Sequence, residues 1–462
     1  MSITDLDLAR LLIAIGLLLG GATLAGHAFA KMRQPPVVGE ILAGILIGPT
    51  LLGAAWPGAE NWIFAADSPV PVILAALYQL GLLLLMFISG SQMRGIVERT
   101  SARTVGFITS VGLLVPFLAG LCLVGALGAS RFEGDAGSRG ALILVFGIGV
   151  AVTSIPVISR IMHDLGLLRT RFARVVLSVA VIEDVIIYVI LAIAIGLAGG
   201  SSATIGLGHA VGINSVAANS VYHTIVAITF LAVGLGGAPR LWRYLLRQKY
   251  NVIGHHSPIA FQLLWMFAFS VAALLLGIVP IFGAFIAGIA TYGDRDKVAR
   301  DARTAISSFG FAFLIPIYFA VVGVKLDLLH NFNVVFFVGF LAFACAVKAA
   351  SVFFAARVAG ERARMALHFA VAVNARGGPG IVLASVSYDA GIIDRSFFAT
   401  LVMLSVVTSL LAGWWLERVK PELMMDDPDV PTTSDRIASP WQPLIPAPSS
   451  RFPSSPSSTT GS

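Results

Sequence analysis

Long runs of apolar residues recur along almost the whole chain, separated by short polar segments. The runs 11–30 and 397–416 contain no Asp, Glu, Lys or Arg. A helix needs about 20 mainly apolar residues to cross a bilayer, whereas a tilted barrel strand needs about 10. Because lipid cannot hydrogen-bond to the backbone, only helices and closed barrels cross it. The length of these runs therefore predicts an all-α polytopic membrane protein.

Thirteen such runs can be separated along the chain, and we number them as candidate spans one to thirteen. The ninth is short and follows the eighth after a break at Pro280, so its edges are the least defined. The sequence thus predicts 13 transmembrane helices. Their apolar cores lie at 11–30, 36–54, 70–90, 104–127, 140–159, 175–197, 219–238, 258–277, 279–292, 305–323, 332–355, 365–387 and 396–416.

The composition agrees with a membrane protein. The chain is 57% hydrophobic and 12% charged, with a mean hydropathy of +0.89, whereas a soluble domain carries about a quarter charged residues. Cys122 and Cys345 both lie in apolar segments, so neither a disulfide framework nor a CxxC metal motif is expected. The net charge of +7 alone would suggest nucleic-acid binding, but the placement of the charges argues against that partner.

Positive charges concentrate in alternate loops between the predicted spans. One set of loops, together with the C-terminal tail, holds most of the 31 Lys and Arg residues. The other set holds only Arg10, Arg131, Arg139, Lys325 and Arg395. Because cytoplasmic loops carry an excess of Lys and Arg, this pattern predicts an N-terminus outside the cell and a C-terminus in the cytoplasm.

The two ends of the chain differ in composition from the segments between them. The first run ends in an A-x-A sequence like a signal-peptide cleavage site, but Asp5 and Asp7 precede it. A signal peptide begins with a basic segment, so we expect a retained first helix. The region 419–462 is rich in Pro, Ser and Thr, a composition that cannot bury a core. We predict a transmembrane domain over 1–418 and a disordered cytoplasmic tail over 419–462.

Three charged side chains stand out within the spans. Span six carries Glu183 and Asp184 about halfway along, and span eleven carries Lys348. Each charge costs about 2.5–3.5 kcal/mol at a membrane helix centre, so these groups should pair or be neutralised. Adjacent helical residues point about 100° apart. We therefore predict that one acid pairs with Lys348, while the other lines an aqueous cavity and binds a proton or a small cation. The alternative is a structural Glu–Lys salt bridge without a transport role.

Spans five and twelve both contain helix-breaking sequences, at 151–157 and 374–380. Proline and repeated glycine interrupt helices, although each site alone could be an ordinary kink. The two spans are seven apart and so run in opposite directions, which predicts an inverted repeat with two crossed, interrupted helices. Such matched breaks point to a binding site at the membrane midplane. The break residues expected to build or support it are Thr153, Ser154, Pro156, Asn374, Arg376, Gly377, Gly378 and Pro379.

Several motifs, taken in order, carry a family resemblance over residues 10–418. They are Gln34 to Gly44, Leu46 to Pro49, Ala151 to Pro156, Ile182 to Asp184, Phe282 to Gly288, Leu314 to Phe319 and Asn374 to Gly380. In this order they resemble the cation:proton antiporter-2 family, the bacterial sodium/proton and potassium/proton exchangers. The resemblance implies a multi-pass protein of the prokaryotic cell membrane and a homodimer.

The resemblance also implies a mechanism and residue roles. A core of spans 4–6 and 11–13 would move as an elevator against a dimer-forming unit of spans 1–3 and 8–10. Asp184 matches the family's essential cation- and proton-binding aspartate, and Lys348 matches the lysine that pairs with the preceding acid. Electrogenic relatives typically have Asp-Asp at these positions, while others have Asn-Asp or Gln-Asp. Glu183 departs from this pattern but keeps the carboxylate, which favours electrogenic exchange.

Residues and resemblance together predict a transporter rather than an enzyme. It would exchange Na⁺ or K⁺ for protons, without a cofactor. Asp184, helped by Glu183, Thr153 and Ser154, would bind one alkali cation or protons in competition. Glu40, near the cytoplasmic end of span two, either lines an access funnel or is simply interfacial. Two rivals are a sodium-coupled symporter of an organic anion and an ion-responsive sensor without transport.

Overall fold

The computed structural model describes residues 4–65, 67–92, 102–168, 170–198, 216–248, 251–291 and 297–425. Helices joined by short connections make up most of these ranges. In chain order they are α1 (Asp5–Lys31), α2 (Pro36–Ile47), α3 (Pro57–Ile63), α4 (Val70–Gln92), α5 (Ala102–Leu127), α6 (Arg139–Ala151), α7 (Ile155–Asp164), α8 (Arg171–Leu197), α9 (Val216–Arg247), α10 (Val252–His256), α11 (Pro258–Leu275), α12 (Pro280–Thr291), α13 (Lys297–Phe309), α14 (Ile315–Val324), α15 (Val334–Val358), α16 (Ala363–Ala372), α17 (Gly377–Asp389) and α18 (Arg395–Met425).

Short turns of other helix types extend or join some of these helices. A π-helical turn, Pro49–Gly53, continues from α2 after Gly48, and a second, Gly310–Leu314, joins α13 to α14. A 3₁₀ turn, Ala129–Arg131, follows α5. The continuous units α2 to Gly53 and α13 to α14 are therefore longer than their α-helical parts alone.

Ten helical units of the described residues are long and apolar enough to cross a membrane. They are α1, α2 with its π turn, α4, α5, α8, α11, α13–α14, α15, α16–α17 and α18. Two further apolar helices, α6 and α12, are shorter. The prediction of an all-α, multi-pass membrane protein is confirmed, whereas the count of thirteen spans stays a prediction.

Loops assigned to the same side by the charge pattern contact each other. At the end that carries most Lys and Arg, called the basic end here, Arg171 pairs with Glu361 at 2.6 Å. At the opposite end, the backbone N–H of Asp394 donates to the carbonyl of Phe132 at 3.0 Å. Each of these contacts joins two loops of the same predicted side, while the orientation of the termini stays a prediction.

The long helices pack in two groups. Helices α1, α2, α4 and α11–α14 pack mainly on one another and are called the α4 group. Helices α5–α8 and α15–α18 do the same and are called the α8 group. Helix α9 packs on both, through α8 and α12, while α2 also touches α18. Most packing therefore lies within a group rather than between the groups.

Glycines bring helices of the α4 group into backbone contact. A Cβ atom on Gly44 of α2 would collide with the carbonyl of Ala320 in α14, and one on Gly323 would collide with α2 in return. Gly288 of α12 lies against the carbonyl of Phe87 in α4 in the same manner. These crossings have no room for any side chain, so the helix spacing there is fixed by the backbones.

Helix α18 extends beyond the predicted end of the transmembrane domain at residue 418. It continues to Met425 because this segment has partners: Leu423 is buried, and Glu422 lies 3.8 Å from Arg364. The first residues after 418 are therefore helical, and the boundary of the transmembrane domain at 418 stays a prediction. The rest of the predicted tail, 426–462, lies outside the described residues.

Candidate functional site

The first predicted helix break is present between α6 and α7. Helix α6 ends at Ala151, Val152 is extended, and α7 begins at Ile155. Pro156 occupies the second position of α7, where its missing N–H would have no helical partner in any case. The helix is thus fully interrupted before the proline rather than kinked at it. The hydroxyl of Ser154 accepts a 3.4 Å hydrogen bond from the N–H of Val157 and caps the new start.

The second predicted break lies between α16 and α17. Helix α16 ends at Ala372 and α17 begins at Gly377, with Gly378 and Pro379 in its first turn. Gly377 has φ +36, and a Cβ atom there would lie 2.7 Å from the hydroxyl oxygen of Ser154. The hydroxyl oxygen of Thr153 lies 2.7 Å from the carbonyl of Val373. The two breaks therefore touch, although they are more than 200 residues apart in sequence.

Glu183 is fully paired. Its side chain is completely buried, and Lys348 Nζ donates to both carboxylate oxygens at 3.0 and 2.9 Å. The Thr153 hydroxyl lies 2.6 Å from Oε2 of the same carboxylate. The third donor of the Lys348 ammonium reaches the carbonyl of Ala151 at 2.7 Å, at the end of α6. A single lysine thus links the acid on α8 to the first helix break.

Asp184 has a different environment, although it is the next residue. It is 2% exposed, and its Oδ1 has no hydrogen-bond partner among the described residues. Burial of a carboxylate without a partner is costly while it is charged. In the described part of the chain, no cluster of three His, Cys, Asp or Glu side chains forms a multivalent metal site. Asp184 therefore differs from Glu183 in having a buried carboxylate oxygen without a hydrogen-bond donor in the described part of the chain.

Arg376, in the second break, hydrogen-bonds to the C-terminal carbonyls of α6. Its completely buried guanidinium donates to the carbonyls of Gly149 at 3.3 Å and Val150 at 3.0 Å. It also donates to the carbonyl of Ala344 at 3.1 Å and to Asn374 Oδ1 at 2.6 Å. These contacts point inward, so Arg376 braces the break rather than snorkelling to the surface. Positive charge near a helix C-terminus stabilises its unpaired carbonyls.

The structure brings most of the predicted site residues together. Asn374 links the second break to α15, because its amide donates to the carbonyl of Cys345 at 3.1 Å. Thr153 approaches Glu183 rather than Asp184, and Ser154 approaches Gly377. Glu40 is half-buried in α2 beside Gly26, and its role in an access funnel stays a prediction.

The sequence reading missed backbone contributors. The last carbonyls of α6 accept hydrogen bonds from the two buried cations. Those of Gly149 and Val150 accept from Arg376, and that of Ala151 accepts from Lys348. The one sequence signal for them is that α6 must end before the Thr153–Ser154 segment and so expose its last carbonyls.

The two acids of the site, Glu183 and Asp184, and its two bases, Lys348 and Arg376, would sum to zero charge if all four were ionised.

Comparison with known proteins identifies the family. Residues 14–419 match the family model described as sodium/hydrogen exchanger, transmembrane. The Na(+)/H(+) antiporter NhaS4 of Synechocystis sp. is 28% identical over 90% of this chain and 97% of its own. The Na(+)/H(+)-K(+) antiporter GerN of Bacillus cereus is 24% identical over 86% of this chain and 93% of its own.

Two further matches extend this result. The K(+)/H(+) antiporter 1 of Saccharomyces cerevisiae is 28% identical over 86% of this chain, which corresponds to 45% of that longer protein. Among solved structures, the sodium proton antiporter MjNhaP1 of Methanocaldococcus jannaschii superposes with a TM-score of 0.57 at 16% identity. That match covers 91% of this chain and 99% of MjNhaP1 and shows a shared fold. Because the family model spans nearly the whole chain, this protein belongs to the sodium/hydrogen exchanger family.

Proposed function

We propose that this protein is a secondary active antiporter that exchanges Na⁺ or K⁺ for protons across a membrane. The observation that carries the proposal is the contrast between the two adjacent acids. Glu183 is satisfied by Lys348 and Thr153, whereas Asp184 is buried with an unpartnered oxygen. A buried, unpaired carboxylate is relieved by either a proton or a cation. Because one oxygen site cannot hold both, their binding is competitive, as exchange requires.

The location of Asp184 supports transport rather than a static pair. It lies on a helix whose neighbouring acid is tied to both helix breaks, through Lys348 to Ala151 and through Thr153 to Val373. Interrupted helices provide the polar backbone ends that bound ions and side chains need within a membrane. The named relatives act on Na⁺, K⁺ and H⁺, which supports a monovalent cation as the exchanged ion.

We further propose how the spans are arranged and which of them move during exchange. Thirteen spans would form an inverted repeat, with the α8 group as the moving core and the α4 group as the scaffold of a homodimer. The scarcity of packing between the groups supports an elevator movement, since few contacts would have to be exchanged. The charge pattern supports a C-terminus in the cytoplasm of a prokaryotic cell. Asp184 would face each side of the membrane in turn.

Cation-dependent proton movement in proteoliposomes tests this function directly. Purified protein is reconstituted with an internal pH dye and pulsed with LiCl, NaCl or KCl. We expect an alkali chloride to drive proton release from the vesicles. Asp184→Asn should reduce this flux to the level of empty liposomes, because an amide cannot exchange a proton for a cation. Asp301→Asn, which changes an exposed acid on α13, is the matched control and should retain the flux.

The possible outcomes separate the competing functions. Retained exchange in Asp184→Asn would refute the assignment of the site. Proton flux that depends on an added organic anion would indicate a symporter, and a folded protein without any flux would indicate a sensor. A second series with valinomycin-clamped voltage measures whether exchange moves net charge. We expect a voltage-dependent rate if Glu183 releases a proton in the cycle.

A further inference from the structure

We propose that Lys325, Asp389 and Tyr78 form a lock between the two helix groups at the end opposite the basic end. This inference rests on the proposed function, because a lock has meaning only if the groups move relative to each other. In this proposal the seam between the groups opens at that end only after the lock is broken. The three residues belong to neither helix break and touch neither Asp184 nor Lys348.

The lock is built from three helices that meet at one carboxylate. Asp389 is the last residue of α17, in the α8 group, and Lys325 directly follows α14, in the α4 group. Lys325 Nζ donates to Asp389 Oδ1 at 2.9 Å. The hydroxyl of Tyr78, on α4, donates to Asp389 Oδ2 at 3.0 Å. Each carboxylate oxygen from one group is thus held by a separate donor from the other group.

The arrangement is reinforced by contacts of the buried side chains Tyr78 and Tyr318. Lys325 Nζ lies 4.0 Å from the centre of the Tyr78 ring, within cation–π distance. Tyr78 stacks on Tyr318 with ring centres 5.1 Å apart, and the Tyr318 hydroxyl lies 3.5 Å from that of Ser385. Ser385 and Asp389 are four residues apart on α17 and so share a face. This face of α17 therefore meets the α4 group at two successive polar contacts.

The burial of these side chains indicates that their contact contributes more free energy than an exposed ion pair does. The side chains of Lys325 and Asp389 are 31% and 30% exposed, whereas Tyr78 is 2% exposed and Tyr318 fully buried. Exposed ion pairs contribute little, but a hydrogen bond from a buried hydroxyl to a charged carboxylate is stronger. Ser385, one helical turn before Asp389, is 1% exposed, and in this proposal water reaches it from this end only after the lock opens.

The basic end provides an internal comparison. There, Arg33 pairs with Glu417 of α18 at 2.6 Å, which also connects the two groups. The Arg33 side chain is 65% exposed and that of Glu417 is 35% exposed, so this pair is better solvated than the lock. In the proposed cycle, the site opens in turn to each side of the membrane. The difference in solvation predicts that loss of the lock changes the equilibrium between these two states far more than loss of the Arg33–Glu417 pair does.

Accessibility of a cysteine at Ser385 tests the lock without relying on transport. Ser385→Cys is introduced together with Cys122→Ser and Cys345→Ser, since these are the two native cysteines. The reconstituted protein is labelled with a membrane-impermeant thiol reagent. We expect slow labelling with the lock intact and labelling about tenfold faster in Asp389→Ala or Lys325→Met, because loss of a charge-assisted contact shifts an equilibrium by that order.

Two further variants separate the lock from general loosening. The charge-reversed pair Lys325→Glu with Asp389→Lys should label more slowly than either single variant, because the ion pair returns although the Tyr78 contacts do not, and Glu417→Ala should leave the rate unchanged. Equal rates in the intact and lock-deficient proteins would overturn the proposal, as would a charge-reversed pair that labels as fast as the single variants. Labelling needs no ion flux, so a failed lock and a failed antiport function give different results.

Discussion

Glu183 and Asp184 are adjacent in sequence but differ in what surrounds their oxygens. Glu183 satisfies a buried lysine, and that lysine also binds the last carbonyl of α6. Asp184 has a buried oxygen without a partner among the described residues. One acid is thus tied to the buried lysine of the site, and under the proposed function the other binds the exchanged ions. The Glu183 carboxylate contacts both Lys348 and Thr153.

This division predicts unequal effects on stability. Lys348→Ala should lower the free energy of unfolding by about 3–5 kcal/mol, because it leaves the Glu183 carboxylate buried without its partner. Asp184→Asn should cost far less, since no described hydrogen bond to its Oδ1 is lost. Melting temperatures in detergent measure both effects.

A double variant checks the cause of that loss. In Lys348→Met combined with Glu183→Gln, neither member of the pair keeps a charge that has lost its partner, so the melting temperature should recover part of the loss. Equal melting temperatures for Lys348→Ala and Asp184→Asn would contradict the pairing as the source of stability.

At the residue scale, helix geometry predicted that one acid pairs with Lys348 but not which one; only the family resemblance pointed to the first acid. Two acids facing one base required one of them to be left over, because adjacent helical side chains diverge. Periodicity could not decide which acid faces α15. That choice depends on the rotation of α8 about its axis, which is set by packing against helices distant in sequence.

Among the elements, the two interrupted helices act as one unit. Gly377, at the start of α17, lies against Ser154 in the first break. Arg376 crosses back to the carbonyls of Gly149 and Val150 at the end of α6. Each break thus supplies what the other lacks: the first exposes carbonyls, and the second provides a buried cation and a glycine that permits close approach.

Two adjacent glycines should respond differently to alanine. Gly377→Ala places a methyl group against Val157 and Ser154 at a backbone φ that favours glycine, so we expect a loss of about 1–3 kcal/mol. Gly378→Ala places its methyl group in open space and should change stability by less than about 0.5 kcal/mol. Thermal unfolding of the two variants, prepared in parallel, measures the contrast. Similar losses in both would mean that α17 requires glycine for another reason.

At the element scale, the interruptions were predictable from Gly and Pro content. Their form was not, because Pro156 marks the start of α7 rather than a bend within a continuous helix. A proline in a membrane segment is compatible with both outcomes. Whether the chain stops depends on what compensates the freed carbonyls, and here the compensating cations come from α15 and from the second break.

At the scale of the whole molecule, the basic end is tied together within the α8 group by one carboxylate. Glu361, in the connection between α15 and α16, accepts hydrogen bonds from Arg171 of α8 at 2.6 and 3.1 Å and from Thr104 of α5 at 2.9 Å. The Arg171 guanidinium is the main reason that the pKa of Glu361 lies below its ordinary value, with Thr104 adding to the effect. Three segments of the group therefore depend on this acid being ionised.

This cluster predicts a specific pH dependence. A lowered folded-state pKa means that the stabilisation is present above the unfolded pKa of about 4.3 and is lost as pH falls through the lowered value. Glu361→Gln should therefore melt below the wild-type protein near pH 7, and the gap should narrow below about pH 5. Melting curves across pH measure it. Glu417→Gln, in an exposed pair, should show little difference at any pH, and a gap for Glu361→Gln that stays constant with pH would contradict the ionic origin.

Much of the global organisation was readable from the sequence, since apolar length and alternating charge are properties of single segments and loops. The grouping of helices was implied only by the family resemblance, and the Lys325–Asp389–Tyr78 lock was not predicted at all. Both depend on contacts between segments far apart in sequence, such as Tyr78 and Asp389. No local sequence pattern distinguishes a lysine that pairs across the boundary between the two helix groups from a solvent-exposed lysine in a loop.

The glycine crossings of the α4 group have a consequence for how the chain is made. Gly44 is synthesised early, but the backbone it fits against, near Ala320, emerges only after most of the chain has been translated. Helices α2 and α4 are therefore inserted into the bilayer before the helices that pack against them, α14 and α12, have been synthesised. Until then the narrow grooves on α2 and α4 have no packing partner. A nascent chain halted before α12 should remain open to quality-control proteases, and the first half should not assemble without the second.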